Sequence, residues 1–268
     1  MGKTESLRIS LVQTSLYWES KTKNLEKIGK LIAPLKGKTD LVILPEMFTT
    51  GFTMNTNEVG EPTPGKTLNW MLKIAEELNA PVTGSFIAEE NGNYFNRFVW
   101  ANPDSSWQKY DKRHLFTMAG EDRYFTPGTE RLIINYKGWK ILPLVCYDLR
   151  FPVWARNRKQ PDRQPEFDLM IYVANWPEAR KQAWKKLLLA RAIENQAFVV
   201  GVNRVGTDGK GIVYSGDSSL INPYGEYIAE CKTGKEHVLT STIDYKLLRD
   251  FRKKFPVIED GDGFLIKN

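Results

Sequence analysis

Two apolar runs in this chain stop at a reactive side chain, and a short strand-like segment stops at a third. Glu46 follows LVILP, Cys146 follows KILPLV, and Lys112, within YDKRHLF, follows residues 107–110. The ends of buried strands are where α/β proteins gather ligands and reacting groups. A thiol, a carboxylate and an ammonium brought to one pocket suit nucleophilic attack on an amide carbonyl. The thiolate is the nucleophilic form of cysteine, and a free cysteine is mostly thiol at neutral pH. A nearby carboxylate can accept the thiol proton, or a lysine can stabilise the thiolate. The tetrahedral oxyanion then needs positioned donors, a part suited to Lys112 and the backbone N–H of Tyr147. Glu46 would next protonate the leaving amine and activate the water that cleaves the thioester.

Each residue also has an ordinary alternative. A buried cysteine is often an inert small hydrophobe, a glutamate after proline can be a helix N-terminal acid, and a lysine can be a surface charge. Histidine scarcity narrows the field, because any Cys-His or Ser-His mechanism must use His114 or His237. His237 sits in an ordinary strand pattern, and His114, two residues from Lys112, is placed to support that loop. No HExxH, CxxC or carboxylate cluster suggests a metal, and no Gly-rich phosphate loop follows a strand. The expectation is a hydrolase without a cofactor or metal.

The elements that must position these groups read as strands alternating with amphipathic helices. Residues 7–13 and the apolar run 40–44 predict strands, with a helix over 22–35 on Leu25, Ile28, Leu31 and Ile32 between them. Leu68, Met71, Leu72 and Ala75 predict a second helix. Hairpins are expected at 81–101, about Asn91-Gly92-Asn93, and at 132–145, about Lys137-Gly138. The run 169–174 predicts another buried strand, followed by a helix over 178–196 and a strand over 197–203. Strands at 212–215, 218–222 and 237–243 and a last helix from Tyr245 complete the order. With no repeat, linker or composition break, one α/β domain over 1–268 is the economical reading, with helices covering the sheets.

Hydrophobic residues at 41% and charged residues at 26% fit a globular chain with a substantial core. The start lacks a signal-peptide pattern and no run spans a membrane. Two cysteines, Cys146 and Cys231, make no disulfide framework, so a reducing cytoplasm is expected. The net charge of +6 raises nucleic-acid binding as an alternative function. Most basic residues are interleaved with acids, however, and the densest stretch, residues 156–163 (RNRKQPDR), carries no nucleic-acid signature. A modestly positive field also suits an acidic small substrate.

The segments LVILPEMFTTGF (41–52), YDKRHLF (110–116) and LVCYDLRFP (144–152), with the later ANWP (174–177) and ARAIENQ (190–196), resemble the nitrilase superfamily of carbon–nitrogen hydrolases, most closely its omega-amidase-like branch. The resemblance runs from the first strand to about residue 244. It implies a four-layer α-β-β-α sandwich and a triad of Glu46 (general base and acid), Lys112 (oxyanion stabiliser) and Cys146 (nucleophile). It also places Glu121, in AGEDRYFTPG, where a second glutamate orients the lysine or the substrate amide, and it implies a homodimer. Residues 255–268, the C-terminal tail, match nothing.

Arg150, four residues past Cys146, is near the start of a helix if 151–158 opens one. A guanidinium there can hold a carboxylate bidentately, as related amidases use it for dicarboxylate monoamides. The alternative is structural pairing to Asp148 or Glu194. Trp176, Phe48 and Tyr147 are candidate apolar walls. The expected reaction converts a 2-oxoglutaramate-like monoamide to the dicarboxylate and ammonia. A carbamoyl-amide hydrolase or an amidase of another linear amide is the alternative within the superfamily. A true nitrilase is disfavoured, since Cys-Tyr-Asp stands where that branch usually carries Cys-Trp-Glu.

Overall fold

A computed structural model describes residues 4–158 and 164–266. Two sheets lie face to face with helices on both outer surfaces, the expected four-layer α-β-β-α sandwich. In the first sheet the strand order is His237–Asp244, Ser6–Gln13, Leu41–Ile43, Val82–Glu90, Asn93–Ala101 and Trp107–Asp111, with the short Glu61–Pro62 beside Val82–Glu90. In the second it is Tyr227–Glu230, Ser219–Ile221, Phe198–Asn203, Leu169–Ala174, Trp139–Val145 and Ile134–Tyr136.

The period-two alternation of strands divides the core between layers. Leu7, Ile9, Leu11, Leu41 and Ile43 join the second sheet's Ile141, Ile171 and Val173 in one apolar cluster. Val12, Val42 and Val82 belong instead to a second cluster with Leu25, Ile28 and Ile32 of the helix Lys21–Ile32 and Leu68, Met71 and Ala75 of the helix Lys66–Leu78. On the opposite surface the helix Lys181–Asn195 lies against Phe198–Asn203. Gly201 permits that approach, since a Cβ there would stand 2.5 Å from Leu188 and 2.8 Å from Trp184.

Strand direction decides where the reactive residues emerge. Leu41–Ile43 runs parallel to Val82–Glu90, and two antiparallel steps lead from there to Trp107–Asp111. The C-terminal ends of Leu41–Ile43 and Trp107–Asp111 therefore lie at the same edge of the first sheet. Trp139–Val145 and Leu169–Ala174 are parallel, so Cys146 and Asn175 leave one edge of the second. Both expected hairpins form, with left-handed backbone at the paired turn residues Asn91-Gly92 and Lys137-Gly138, as tight hairpin turns require.

Three expectations need correction. Residues 151–158 do not open a helix; a 3-10 turn, Cys146–Arg150, precedes them and Arg150 ends it. Short elements were not anticipated, among them the helix Thr56–Val59, the strand Tyr227–Glu230 and the strand Val205–Thr207, which pairs with the expected strand at Val213–Ser215. The segment after Phe255 packs back on the body, where Ile258 is buried and Gln196 donates to the Phe255 carbonyl at 2.7 Å. Residues 159–163 of the basic stretch lie outside the described residues. None of the described helices is long and apolar enough to cross a membrane.

Candidate active site

Glu46, Lys112 and Glu121 meet in the interior, each with a side chain at or near zero exposure. Lys112 Nζ donates to Glu46 Oε1 at 3.1 Å and to both oxygens of Glu121 at 2.9 and 2.8 Å. Asn96, in the strand Asn93–Ala101, holds the two acids together: its Nδ2 donates to Glu46 Oε1 at 2.8 Å and to Glu121 Oε1 at 3.2 Å. Ser85 fixes that carboxamide by donating to its Oδ1 at 2.9 Å. The Phe116 N–H reaches Glu121 Oε2 at 2.6 Å and orders the loop after Lys112. Glu46 Oε2 accepts from the Asn175 backbone N–H at 2.7 Å, tying the first sheet to the second.

Cys146 stands at the first turn after its strand with φ +45°, a left-handed conformation that side chains other than glycine seldom adopt. Met47, next to Glu46, has φ +41°. Such backbone persists where the surroundings over-determine it, as at reactive sites. Asp148 supplies the restraint here. Its carboxylate accepts from the Val145 N–H at 3.0 Å, the Tyr110 hydroxyl at 2.8 Å and the His114 N–H at 3.0 Å. The His114 ring adds a contact at 2.8 Å, so His114 supports the lysine loop as expected and binds it to the cysteine turn.

The electrostatics favour a neutral thiol before substrate binds. Burial, then the carboxylates of Glu46 and Glu121, push the Cys146 thiol well above its ordinary value against the opposing pull of Lys112. Burial opposes the charged form of Lys112, but the fields of Glu121 and Glu46 outweigh it and hold the ammonium charged. Burial also raises Glu121, with Lys112 opposing that shift and Glu46 adding to it. The geometry can thus move a thiol proton toward a carboxylate while a fixed ammonium faces developing negative charge.

A cavity of about 330 Å³ opens over Cys146 and Lys112, walled by Phe52, Phe116, Tyr147, Trp176 and Tyr214, with Arg150 and Arg180 among its lining residues. Its size is at the small end for ligand sites. Seven of the eight residues expected from sequence are thereby brought together: Glu46, Lys112, Cys146, Glu121, Tyr147, Arg150 and Trp176. Phe48 is not. It is fully buried on the helix side of the first sheet, 6.0 Å from the ring of Trp70, and Phe52 takes the wall position. Arg150 pairs with neither Asp148, whose oxygens are taken as described, nor Glu194, which binds Arg191 at 2.8 Å. It lies exposed with its guanidinium 4.9 Å from the centre of the Trp176 ring.

The family model for carbon-nitrogen hydrolases matches residues 8–253. The chain belongs to that family. It is a hydrolase acting on carbon–nitrogen bonds of amides, in the omega-amidase-like part of the nitrilase superfamily. Among curated carbon–nitrogen hydrolases it is 43% identical to omega-amidase YafV of Escherichia coli strain K12, over 96% of this chain and 98% of that one. It is 31% identical to the 2-oxoglutaramate amidase of Bacillus subtilis, over 94% and 96%. Among solved structures, XC1258 of Xanthomonas campestris, a superfamily protein with an arsenic adduct in its active site, superposes with a TM-score of 0.96 at 47% identity, over 98% of this chain and all of that one.

Sequence reasoning missed Asn96, Asn175, Asp148 and Phe52. The criterion that found Glu46 and Cys146, a polar residue ending an apolar strand, applies equally to Asn175 after LMIYVA. Among the described residues no group of acidic, histidine or cysteine side chains is placed to hold a metal ion.

Proposed function

We propose that this enzyme is an omega-amidase that hydrolyses the terminal amide of a small dicarboxylate monoamide, of the 2-oxoglutaramate or 2-oxosuccinamate type, through a thioester on Cys146. The observation that carries the reading is the meeting of Cys146 and Lys112 in one small cavity, backed by Glu46 and Glu121, with two arginines in the same wall that have no ion-pair partner among the described residues. Glu46 takes the thiol proton as sulfur bonds to the amide carbon. The carbonyl oxygen becomes an oxyanion held by Lys112 and the Tyr147 N–H. Collapse breaks the carbon–nitrogen bond, Glu46 returns the proton to nitrogen, and ammonia leaves. Glu46 then deprotonates a water that attacks the thioester carbon, and the carboxylic acid departs as the thiol is regenerated. Glu121 positions Lys112 and keeps its charge matched before attack. Arg150 takes the substrate carboxylate, with Trp176 beneath it.

A single catalytic domain belongs to the same proposal, supported by the full-length match to these relatives, together with the cytoplasmic location and the homodimer expected from the sequence. Ammonia release across a panel of ω-amides and uncharged amides of matched length tests the reading. The highest kcat/KM is expected on the charged ω-amides, with an acyl adduct on the Cys146 peptide during turnover. Preference for an uncharged amide sinks it.

A further inference from the structure

We propose that Arg180 is the second arm of a two-arginine clamp which, with Arg150, grips the anionic end of the substrate; this rests on the omega-amidase reading above. Four cationic residues and no carboxylate line the cavity among the described residues: Lys112, Arg150, Arg180 and Lys210. Lys112 is already matched by Glu46 and Glu121. Lys210 is exposed on a turn at the mouth, where only its backbone is tied, donating to Asp208 at 2.8 Å. Two guanidinium groups, with the exposed Lys210 ammonium on its turn, remain to meet an anion.

Both are held flat. Arg150 lies over Trp176 at 4.9 Å, and Arg180 lies over Phe116 at 5.4 Å with Nη2 3.4 Å from the Met118 sulfur. The two supports are linked, because the Trp176 indole N–H donates to the Arg180 carbonyl at 2.9 Å. Phe116 in turn packs on Tyr147, beside Cys146, at 5.0 Å between ring centres. A guanidinium over an aromatic face is favourably placed while N–H groups not otherwise engaged can still meet a carboxylate. Neither arginine has an ion-pair partner among the described residues. Glu178, the acid in the turn that Arg180 ends, lies 3.3 Å from Lys181 instead. Cations without a counter-charge in one small cavity repel one another, and an anion bound among them relieves that repulsion. The substrate class this selects is a short linear amide carrying a carboxylate opposite the amide.

The test compares wild type, Arg180→Met and Arg180→Lys on succinamate and on pentanamide, an uncharged amide of similar length, with succinate as a competitive inhibitor. Arg180→Met is expected to raise KM for succinamate and the inhibition constant of succinate by about 10- to 100-fold. It should change kcat little and reduce kcat/KM for pentanamide far less than for succinamate. Arg180→Lys should recover part of both losses, which a merely structural defect would not. If wild type shows no preference for succinamate, this inference and the omega-amidase reading both fall. If wild type prefers succinamate but Arg180→Met lowers both amides alike, or leaves succinate inhibition unchanged, the clamp falls while the omega-amidase reading stands on Arg150.

Discussion

Removing Lys112 should destabilise this protein in a pH-dependent way that a second substitution reverses. Lys112 lies between two fully buried acids that share one Asn96 carboxamide, at 2.8 and 3.2 Å. In Lys112→Met the acids lose the cation that lies between them, and two carboxylates so close cannot both stay ionised. One takes a proton, so its folded pKa rises above its unfolded value near 4.3. The sign follows from proton counting. Between those two values the folded state holds a proton that the unfolded state has lost, so stability falls as pH rises. Keeping a carboxyl protonated costs about 1.4 kcal/mol per pH unit above its unfolded pKa, hence about 2 kcal/mol at pH 6 and about 5 kcal/mol at pH 8. The upper figure matches the roughly 3–5 kcal/mol seen when one partner of a buried pair is removed.

Urea denaturation followed by circular dichroism, at pH 6 and pH 8 and referenced to wild type at each pH, measures this difference. Adding Glu121→Gln to Lys112→Met removes the second charge while keeping the side chain's shape. The double variant should therefore be more stable than Lys112→Met at pH 8, with the pH dependence largely gone, and both should be inactive. A loss that does not change with pH, or a double variant less stable than the single one, would refute the charge arrangement.

Cys146→Ala should abolish turnover, whereas Cys231→Ser should retain near-normal kcat; Cys231 is buried away from the cavity, and burial pushes its thiol up to about 12. Glu46→Gln should lose most of its kcat while staying folded, and Glu46→Gln combined with Lys112→Met should be little slower than either alone, since groups that act as a unit are not additive; multiplied losses would contradict the shared role. Arg150→Met should lower kcat/KM steeply for succinamate and much less for pentanamide, and an equal loss on both would mark Arg150 as structural. Phe48→Ala should cost about 3–5 kcal/mol in denaturation experiments through its buried cavity, and a selective rise in KM without loss of stability would restore it to the substrate wall.

Glu46 and Cys146 stood out because their signal is local: an apolar run long enough to be a strand, stopped by a residue that can react. Each of Glu46, Cys146 and, after a shorter strand-like segment, Lys112 could be picked out along the chain, whereas the strand directions that bring them to one edge are set by pairing. Phe48 was misread for a local reason that sequence hides. The left-handed turn at Met47 redirects the chain, and the Phe48 N–H then bonds the Ser85 carbonyl at 3.0 Å, which leaves the ring beneath the sheet. Fold class was legible from the alternation of periods, whereas the helix on which Arg150's placement was made conditional does not form, and residues 151–158 include Pro152, Val153, Trp154 and Asn157, all weaker helix formers than alanine.

Asn96 was hidden by register. It sits in the run NYFNRFVWA opposite Ile87, and only that pairing sets its carboxamide between the two acids. A buried asparagine must find partners, but the run alone shows neither that this position is buried nor what lies opposite it. Arg180 was hidden differently. A basic residue just before a helix reads as solvated, and nothing in EARKQ separates Arg180 from Lys181. What distinguishes them is tertiary: Lys181 lies within ion-pair distance of Glu178, while Arg180 lies on Phe116, a residue 64 positions earlier in the chain. Chemistry that depends on one strand end can be read along the chain, whereas selectivity, which depends on what lies across the cavity, needs the fold.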